Sequence, residues 1–421
     1  MSKIPEYQGK ELLRKAGVKV PDGEIATSPE EAKAIAQKIG KPVVLKAQVL
    51  ATGRYDAGGV KFAEDPDEAF AASKEMLGKR IKEFLVKQVL VEERLNLEHE
   101  YYAGIVVDTS IKVKAPVLVF STEGGTGIEE VAARNPERVK RLIINPLNGL
   151  GSSDVDSILQ EMNVTKASEQ INSLICGIYG LFKEADATSV EINPFVLTKE
   201  GEVYAADCHV TIDDNSVFKH PELGIKVPRD MDREPTALEQ LAWDQIEEGD
   251  YRGTGYFAQM VTEYDKNEKY VGFHGIGGGG SMLGAAALLN RGIKIANYVD
   301  TSGDPPASKV YKVIKVIFSQ PISAYTVVGA CLANQEQWYH AFAMVKALKE
   351  ELKDKPGFPV VILLAGNKEL EATEILREGL KDLNLRLETY GRDHIYDSDF
   401  IGERVEKLMA EYLSEKNVSN G

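Results

Sequence analysis

The chain has 421 residues, and 50 Lys+Arg against 65 Asp+Glu leave a formal net charge of −15, so no overall positive field is available to gather a phosphodiester backbone. Hydrophobic residues at 43% and charged residues at 27% are ordinary globular usage, which excludes a disordered or collagen-like chain, and at roughly 150 residues per domain the length predicts two or three domains. The longest weakly polar stretch, 270–289, is broken by His274 and a run of glycines and cannot form a membrane helix, while Met1 to Tyr7 lacks the apolar core of a secretory signal, so a cytoplasmic location is expected.

Two helix starts come early: Ser28-Pro29-Glu30-Glu31 and Asp65-Pro66-Asp67-Glu68 each set a cap, a first-turn proline and an N3 glutamate in order. Strand-like runs at 42–49, 88–92, 101–107 and 115–121 make the first half read as α+β. Around 219–223 and 228–235 the sequence turns charged and proline-rich, which divides the chain into domains 1–235 and 236–421. From Lys269 onward strands at 270–276, 293–299, 325–329 and 359–364 alternate with glycine-rich loops and helices, the pattern of a doubly wound parallel sheet. Residues 416–421 are a polar tail expected to fray.

The sharpest geometric signal is the pair of strand-like segments 189–198 and 202–207 joined by Lys199-Glu200-Gly201, a β-hairpin with a three-residue loop. If Thr198 pairs with Glu202, Asn193 lies opposite Asp207 with Glu191 two residues away on the same face. An amide carbonyl and a carboxylate brought together suit Mg²⁺, which takes few protein oxygens and completes its shell with water and phosphates; a solvated polar face is the alternative. Pro194 within the strand points to an edge position. A second signal is Lys46, inside an apolar strand and followed by the Gly53-Arg54 loop that ends at Gly58-Gly59, a lysine and glycine-permitted backbone amides that could hold nucleotide phosphates; a sheet-edge lysine and glycines that merely turn the chain are the alternative. The acids closing 88–93 could read the amino group and ribose of an adenosine, or simply be solvated.

The third signal is Gly275, Gly277 and Gly280 in a GxGxxG array between a strand and a helix, with Asp300 twenty residues past Gly280. Alone it reads as a dinucleotide site and keeps an NAD-linked oxidoreductase as the alternative function. The loops 301–306 and 329–334 repeat the theme at strand ends, however, and several anion-ready helix N-termini at one crevice could equally hold carboxylates or a phosphorylated side chain. Six scattered histidines show no HExxH spacing, and Cys176, Cys208 and Cys331 form neither a disulfide framework nor a CxxC site.

At these residues the chain resembles the nucleotide-binding (β-type) subunit of succinyl-CoA synthetase, together with citryl-CoA synthetase and the front part of ATP-citrate lyase. The likeness is carried by 6–12, 46–61, 121–125, Pro146-Leu147, 191–194 and the glycine loops of the second half. It implies an ATP-grasp domain followed by a flavodoxin-like domain, with ATP, Mg²⁺ and CoA as cofactors. It also implies an α-type partner subunit carrying a histidine that ATP phosphorylates and most of the CoA site. The phosphoryl group then passes to a carboxylic acid, and CoA displaces it as a thioester. By the same resemblance Lys46, Gly53 and Arg54 are phosphate-side groups, Glu92 and Glu100 adenosine-side groups, and Asn193 with Asp207 the Mg²⁺ ligands. Glu191 is expected to touch the partner's phosphorylated histidine, and Gly329 and Ala330 to open the helix whose amides face it.

Departures bear on the acid. The succinate pattern has asparagine where Gly277 aligns and a different loop at 329–334, and the segment 297–305 looks more like the citrate-binding region of ATP-citrate lyase. Gly277, Gly303, Cys331 and Asn334 are therefore expected at the acid, with citrate the favoured substrate and succinate or malate the alternatives. The arginine that the lyases place after the next strand is absent from 363–368, which leaves the cation to Lys368 or to the partner. Tyr55 and His209 replace a glycine and a lysine of the succinate pattern. No citrate-synthase-like extension is seen, so cleavage of a citryl thioester is expected to fall to another protein.

Overall fold

The computed structural model describes residues 2–419 except 52, 111, 126, 230–232, 251, 303, 304 and 398, with only the backbone described for 330–335 and 416–419. These fall into two compact units, Met1–Glu234 and Pro235–Gly421.

In chain order the first unit runs β1 (Ser2–Ile4), α1 (Glu6–Lys15), β2 (Gly23–Ala26), α2 (Pro29–Ile39), β3 (Val43–Ala47), β4 (Val60–Ala63), α3 (Pro66–Met76), β5 (Arg80–Ile81), β6 (Phe84–Leu85), β7 (Val89–Glu93) and β8 (Leu97–Asp108). It continues with β9 (Ala115–Ser121), α4 (Ile128–Arg134), β10 (Val139–Ile143), α5 (Ser152–Glu161), α6 (Ser168–Glu184), β11 (Ala187–Thr198), β12 (Val203–Ala205) and β13 (His209–Ile212). The two helix starts form as their sequences dictate: Ser28 Oγ accepts from Glu31 N at 3.2 Å, and Asp65 Oδ1 accepts from Asp67 N and Glu68 N, both at 2.9 Å. Each such cap is worth about 1 kcal/mol.

A four-stranded sheet, β2-β7-β3-β4, carries Lys46 and Glu92, and a larger sheet, β1-β13-β11-β8-β9-β10 with β12 added to β11, carries the hairpin. Ile171, Leu174, Ile175, Ile178 and Leu181 of α6 join the core beneath the larger sheet with Val190, Ile192, Phe195 and Leu197 of β11. Burying each such side chain contributes about 1.5–3 kcal/mol, which fixes the sheet that presents the hairpin residues. Tyr101 stacks on Phe195 with ring centroids 5.0 Å apart.

The hairpin has the register its loop predicts: Phe195 pairs with Ala205, Val196 with Tyr204 and Leu197 with Val203, and Thr198 N donates to Glu202 O at 2.9 Å. The edge expectation for Pro194 is corrected. β11 is interior, paired with β8 on one side and with β13 and β12 on the other. The proline is tolerated because the β11–β8 register shifts between Ile192 and Phe195, so no ladder amide is required of it.

The second unit contains α7 (Ala237–Ala242), β14 (Tyr256–Gln259), β15 (Tyr270–Ile276), α8 (Gly278–Asn290), β16 (Lys294–Asp300), α9 (Ala307–Phe318), β17 (Ala324–Glu336), α10 (Trp338–Leu352), β18 (Pro359–Asn367), α11 (Glu369–Leu380), β19 (Arg386–Tyr390) and α12 (Phe400–Ser419). Its sheet order is β14-β16-β15-β17-β18-β19, with β14 antiparallel and the other neighbours parallel. Numbered among themselves, the parallel strands run 2-1-3-4-5, the flavodoxin-like winding, with its topological switch between β15 and β17. Ile276 pairs with Gly329 across that switch.

One expectation fails in this unit. Gly329 and Ala330, with Cys331 and Asn334, do not open a helix but continue β17, because β18 extends alongside them: Gly329 pairs with Leu364, Ala330 with Ala365 and Cys331 with Gly366. The helix begins only at Trp338, after Gln337 N has bonded Asn367 O at 2.9 Å. Nothing in the run of small residues at 329–334 signals this, since pairing with a distant strand decides it.

Candidate active site

The first unit gathers six buried or largely buried charges from four places. Glu6 and Lys10 lie one turn apart on α1, Lys46 and Glu92 stand on adjacent strands β3 and β7, Arg54 comes from the loop after β3, and Asp207 follows β12. Lys46 Nζ lies 2.7 Å from Glu92 Oε1 and 3.0 Å from Glu6 Oε1, and Lys10 Nζ lies 2.6 Å from Glu92 Oε2 and 2.9 Å from Glu6 Oε1. Arg54 Nη2 lies 2.8 Å from Glu6 Oε2 and 2.9 Å from Asp207 Oδ1. Lys46 and Lys10 also donate to Ala206 O, at 2.5 and 2.8 Å, which ties the end of the hairpin to both lysines. Burial works against the Lys46 ammonium, but Glu6 and Glu92 outweigh it and raise its pKa. Burial likewise opposes the Asp207 carboxylate, and His209 and Arg54 outweigh it, holding the carboxyl well below the usual range.

Lys46 and Arg54 are thus brought together with Asp207. Gly53 stands just before Arg54 at φ +67, where an L side chain would be strained, and open space surrounds its Cα. The Glu92 side chain, expected on the adenosine side, is 1% exposed with both oxygens taken by lysines of the ion network. The reason is topological, since β7 is an inner strand between β2 and β3. Glu100 is kept apart from it, lining a shallow cavity of about 350 Å³ with Glu98, His99, Thr122, Glu123 and Gly124.

Asn193 Oδ1 accepts from Gly125 N at 2.8 Å, and Asp207 Oδ1 accepts from Cys208 N at 2.7 Å as well as from Arg54. Amide and carboxylate oxygens from one hairpin are the donor types Mg²⁺ takes, so the residues present fit that ion, with Arg54 having to yield at Asp207. Among the described residues no group of three or more His, Cys, Asp or Glu is placed to hold a metal. Glu191 pairs across the ladder with His209 and accepts from Tyr102 Oη at 3.2 Å; burial raises its carboxyl pKa. His209 in turn lies 3.5 Å from Asp207 Oδ2.

Sequence reasoning assigned no role to Glu6, Lys10 or Tyr102. For the first two a signal exists, because a Glu and a Lys four apart on the buried face of a helix need charged partners.

In the second unit Gly277 caps α8 with φ 84, and its N–H donates to Asp300 Oδ1 at 3.2 Å, an oxygen that also accepts from Ser302 N at 2.7 Å. The acid that a dinucleotide site would aim at a ribose is turned back onto its own glycine loop. Beneath the loop His274 is fully buried between Tyr325 Oη at 2.9 Å and Thr301 Oγ1 at 3.1 Å, and burial lowers its pKa to about 3. Gly303 lies outside the described residues, as do the side chains of Cys331 and Asn334. At the end of β18, Lys368 is paired with Glu371 at 2.7 Å. Arg392 reaches the same turn from beyond β19, donating to Gly366 O at 3.0 Å and to Glu369 Oε1 at 2.9 Å. Arg392 lies beyond the end of β19, outside the 363–368 segment in which the sequence offers a cation.

Residues 3–197 match the ATP-grasp domain family, and residues 269–400 match the ATP citrate lyase citrate-binding family. The β subunit of a GDP-forming succinate–CoA ligase from Thermus thermophilus is 37% identical over 374 residues, 89% of this chain and 93% of its own length. The β subunit of an ADP-forming succinate–CoA ligase from Pyrobaculum aerophilum is 33% identical over 395 residues, 89% of this chain and 94% of its own. Among solved structures, ATP citrate lyase from Methanothrix soehngenii in complex with citrate and coenzyme A matches with TM-score 0.75 at 20% identity, over 96% of this chain and 99% of that one, a likeness of fold. The first unit is accordingly an ATP-grasp domain. No helix among the described residues is long and apolar enough to cross a membrane.

Proposed function

Because the chain belongs to the succinate–CoA ligase β-subunit family, we propose that it is the nucleotide-binding subunit of an ADP-forming acid–CoA ligase whose acid is citrate. The overall reaction joins citrate and CoA as a thioester while ATP is converted to ADP and phosphate, by way of a phosphorylated histidine on an α-type partner that also binds most of the CoA. Lys46, Arg54 and the Gly53 backbone take the phosphates, Glu100 the adenosine side, and Asn193 with Asp207 hold Mg²⁺, which neutralises charge on the phosphates. Glu191 meets the partner's histidine. Gly277, Gly303, Cys331 and Asn334 line the acid, with Arg392 as its cation.

The observation that carries citrate is the match of residues 269–400 to the ATP citrate lyase citrate-binding family. Succinate is the second reading, favoured by the names of the relatives at 37% and 33% identity. The test is ADP formation by the chain co-purified with its partner, given Mg-ATP and CoA and offered citrate, succinate or malate in parallel. Turnover with citrate above the other two is expected; turnover with succinate alone would replace citrate by succinate.

A further inference from the structure

Three cations, Lys10, Lys46 and Arg54, face three carboxylates, Glu6, Glu92 and Asp207, so the formal charges within the network cancel. The three acids do not share the work equally. Glu6 lies within ion-pair distance of all three cations, at 2.9 Å from Lys10, 3.0 Å from Lys46 and 2.8 Å from Arg54, whereas Glu92 reaches the two lysines and Asp207 reaches Arg54. Glu6 is 3% exposed and comes from α1, separate in sequence from the strand bearing Lys46, the loop bearing Arg54 and the hairpin bearing Asp207. It is therefore the anion that holds the two candidate phosphate groups toward each other.

We propose that Glu6 is the internal counter-ion of the phosphate-binding cations, a positioning residue that orders Lys46 and Arg54 while nucleotide is away and competes with phosphate oxygens for them when it arrives. This rests on the reading of Lys46 and Arg54 as phosphate groups. A polyanion approaching a neutral cluster gains little until a cation is released; removing the Glu6 charge leaves the cluster with a net positive charge in a poorly solvated setting, where a phosphate gains most. Glu6 thus weakens nucleotide binding while strengthening the fold, two effects of opposite sign that a purely structural residue does not produce.

The test compares Glu6→Gln with the native full chain by calorimetric titration with ATP, inorganic tripolyphosphate and adenosine, alongside thermal melting. The variant is expected to melt at lower temperature yet bind ATP and tripolyphosphate on the order of tenfold more tightly, with no gain for adenosine. Unchanged or weaker binding of both phosphate ligands would overturn the role of Glu6. If Glu6→Gln fails to fold, Glu6→Asp keeps the charge but is one methylene too short to reach every cation, and a gain of about threefold is expected; no gain overturns the proposal. Absence of ATP binding by the native chain would remove the phosphate reading of Lys46 and Arg54, and the role of Glu6 with it.

Discussion

Arg54 Nη2 lies 2.9 and 3.2 Å from the two carboxylate oxygens of Asp207, so a guanidinium holds the carboxylate that is proposed here as a Mg²⁺ ligand. Were Asp207 to hold Mg²⁺ as proposed, its carboxylate would be shared between the ion and Arg54, whose second partner, Glu6 Oε2 at 2.8 Å, keeps the guanidinium in place.

Asp207→Ala removes the carboxylate proposed for Mg²⁺ while leaving Arg54 its Glu6 partner at 2.8 Å. Mg²⁺-dependent phosphorylation of the partner's histidine is expected to fall at least about a hundredfold, with assembly of the complex retained. Gel filtration and labelling with γ-phosphate measure the two separately; normal labelling would remove Asp207 from the metal.

Arg392 bonds Gly366 O at 3.0 Å and Glu369 Oε1 at 2.9 Å, close to the β18 turn. A charge-assisted hydrogen bond is worth about 1.5–3 kcal/mol, so Arg392→Gln is expected to raise the acid KM at least about tenfold while histidine phosphorylation by Mg-ATP proceeds as before. An acid KM equal to the native value would take Arg392 out of the acid site.

Burial holds His274 at a pKa of about 3, and His340, bonded through Nδ1 to Gln337 Oε1 at 2.9 Å, at about 4, both below the ordinary 6.5. A histidine kept neutral when folded contributes its full stability above the unfolded pKa. As pH falls below about 6.5 the unfolded chain takes up protons that the folded one refuses, so stability is lost progressively towards the folded values. At about pH 5 the loss is about 2 kcal/mol for each histidine. Thermal melting from about pH 7.5 to about pH 5 should show this decline, and it should be shallower in His340→Gln; parallel curves would exclude His340 as a source.

A Cβ built on Gly275 would lie 2.0 Å from Ser281 Oγ and 3.0 Å from Ser281 Cα, so α8 packs against β15 only because residue 275 has no side chain. Gly275→Ala is expected to cost about 1–3 kcal/mol, read from denaturant unfolding. A change below about 0.5 kcal/mol would mean that the helix can shift freely.

Much of the architecture is legible in the sequence because it follows from local chemistry. Ser28 and Asp65 cap the helices their spacing announces, the Lys199-Glu200-Gly201 loop sets the hairpin register, and the alternation after Lys269 yields the 2-1-3-4-5 winding. What stays hidden depends on partners far along the chain. Glu92 reads as a surface acid until Lys10 and Lys46 fold over it, the 329–334 segment reads as a helix start until β18 pairs with it, and Pro194 reads as an edge marker until the register shift beside it is known. Arg392, arriving from beyond β19, stands outside the local segment where a cation was sought.

The register shift between Ile192 and Phe195 also changes the parity of β11. Before it, even-numbered Val190 and Ile192 enter the core; after it, odd-numbered Phe195 and Leu197 do. With a strict alternation of two, one parity would have to serve the whole strand, and either Glu191 and Asn193 would be driven inward or Phe195 would lose its stack on Tyr101. The odd residue inserted at Pro194 lets one strand show polar side chains outward in one half and still close its core in the other. Deleting one of the two residues between Ile192 and Phe195 would therefore remove the bulge and leave Phe195 opposite Tyr101 with its ring still in the core, so that what the extra residue secures is the outward display at Asn193 rather than the packing beneath it.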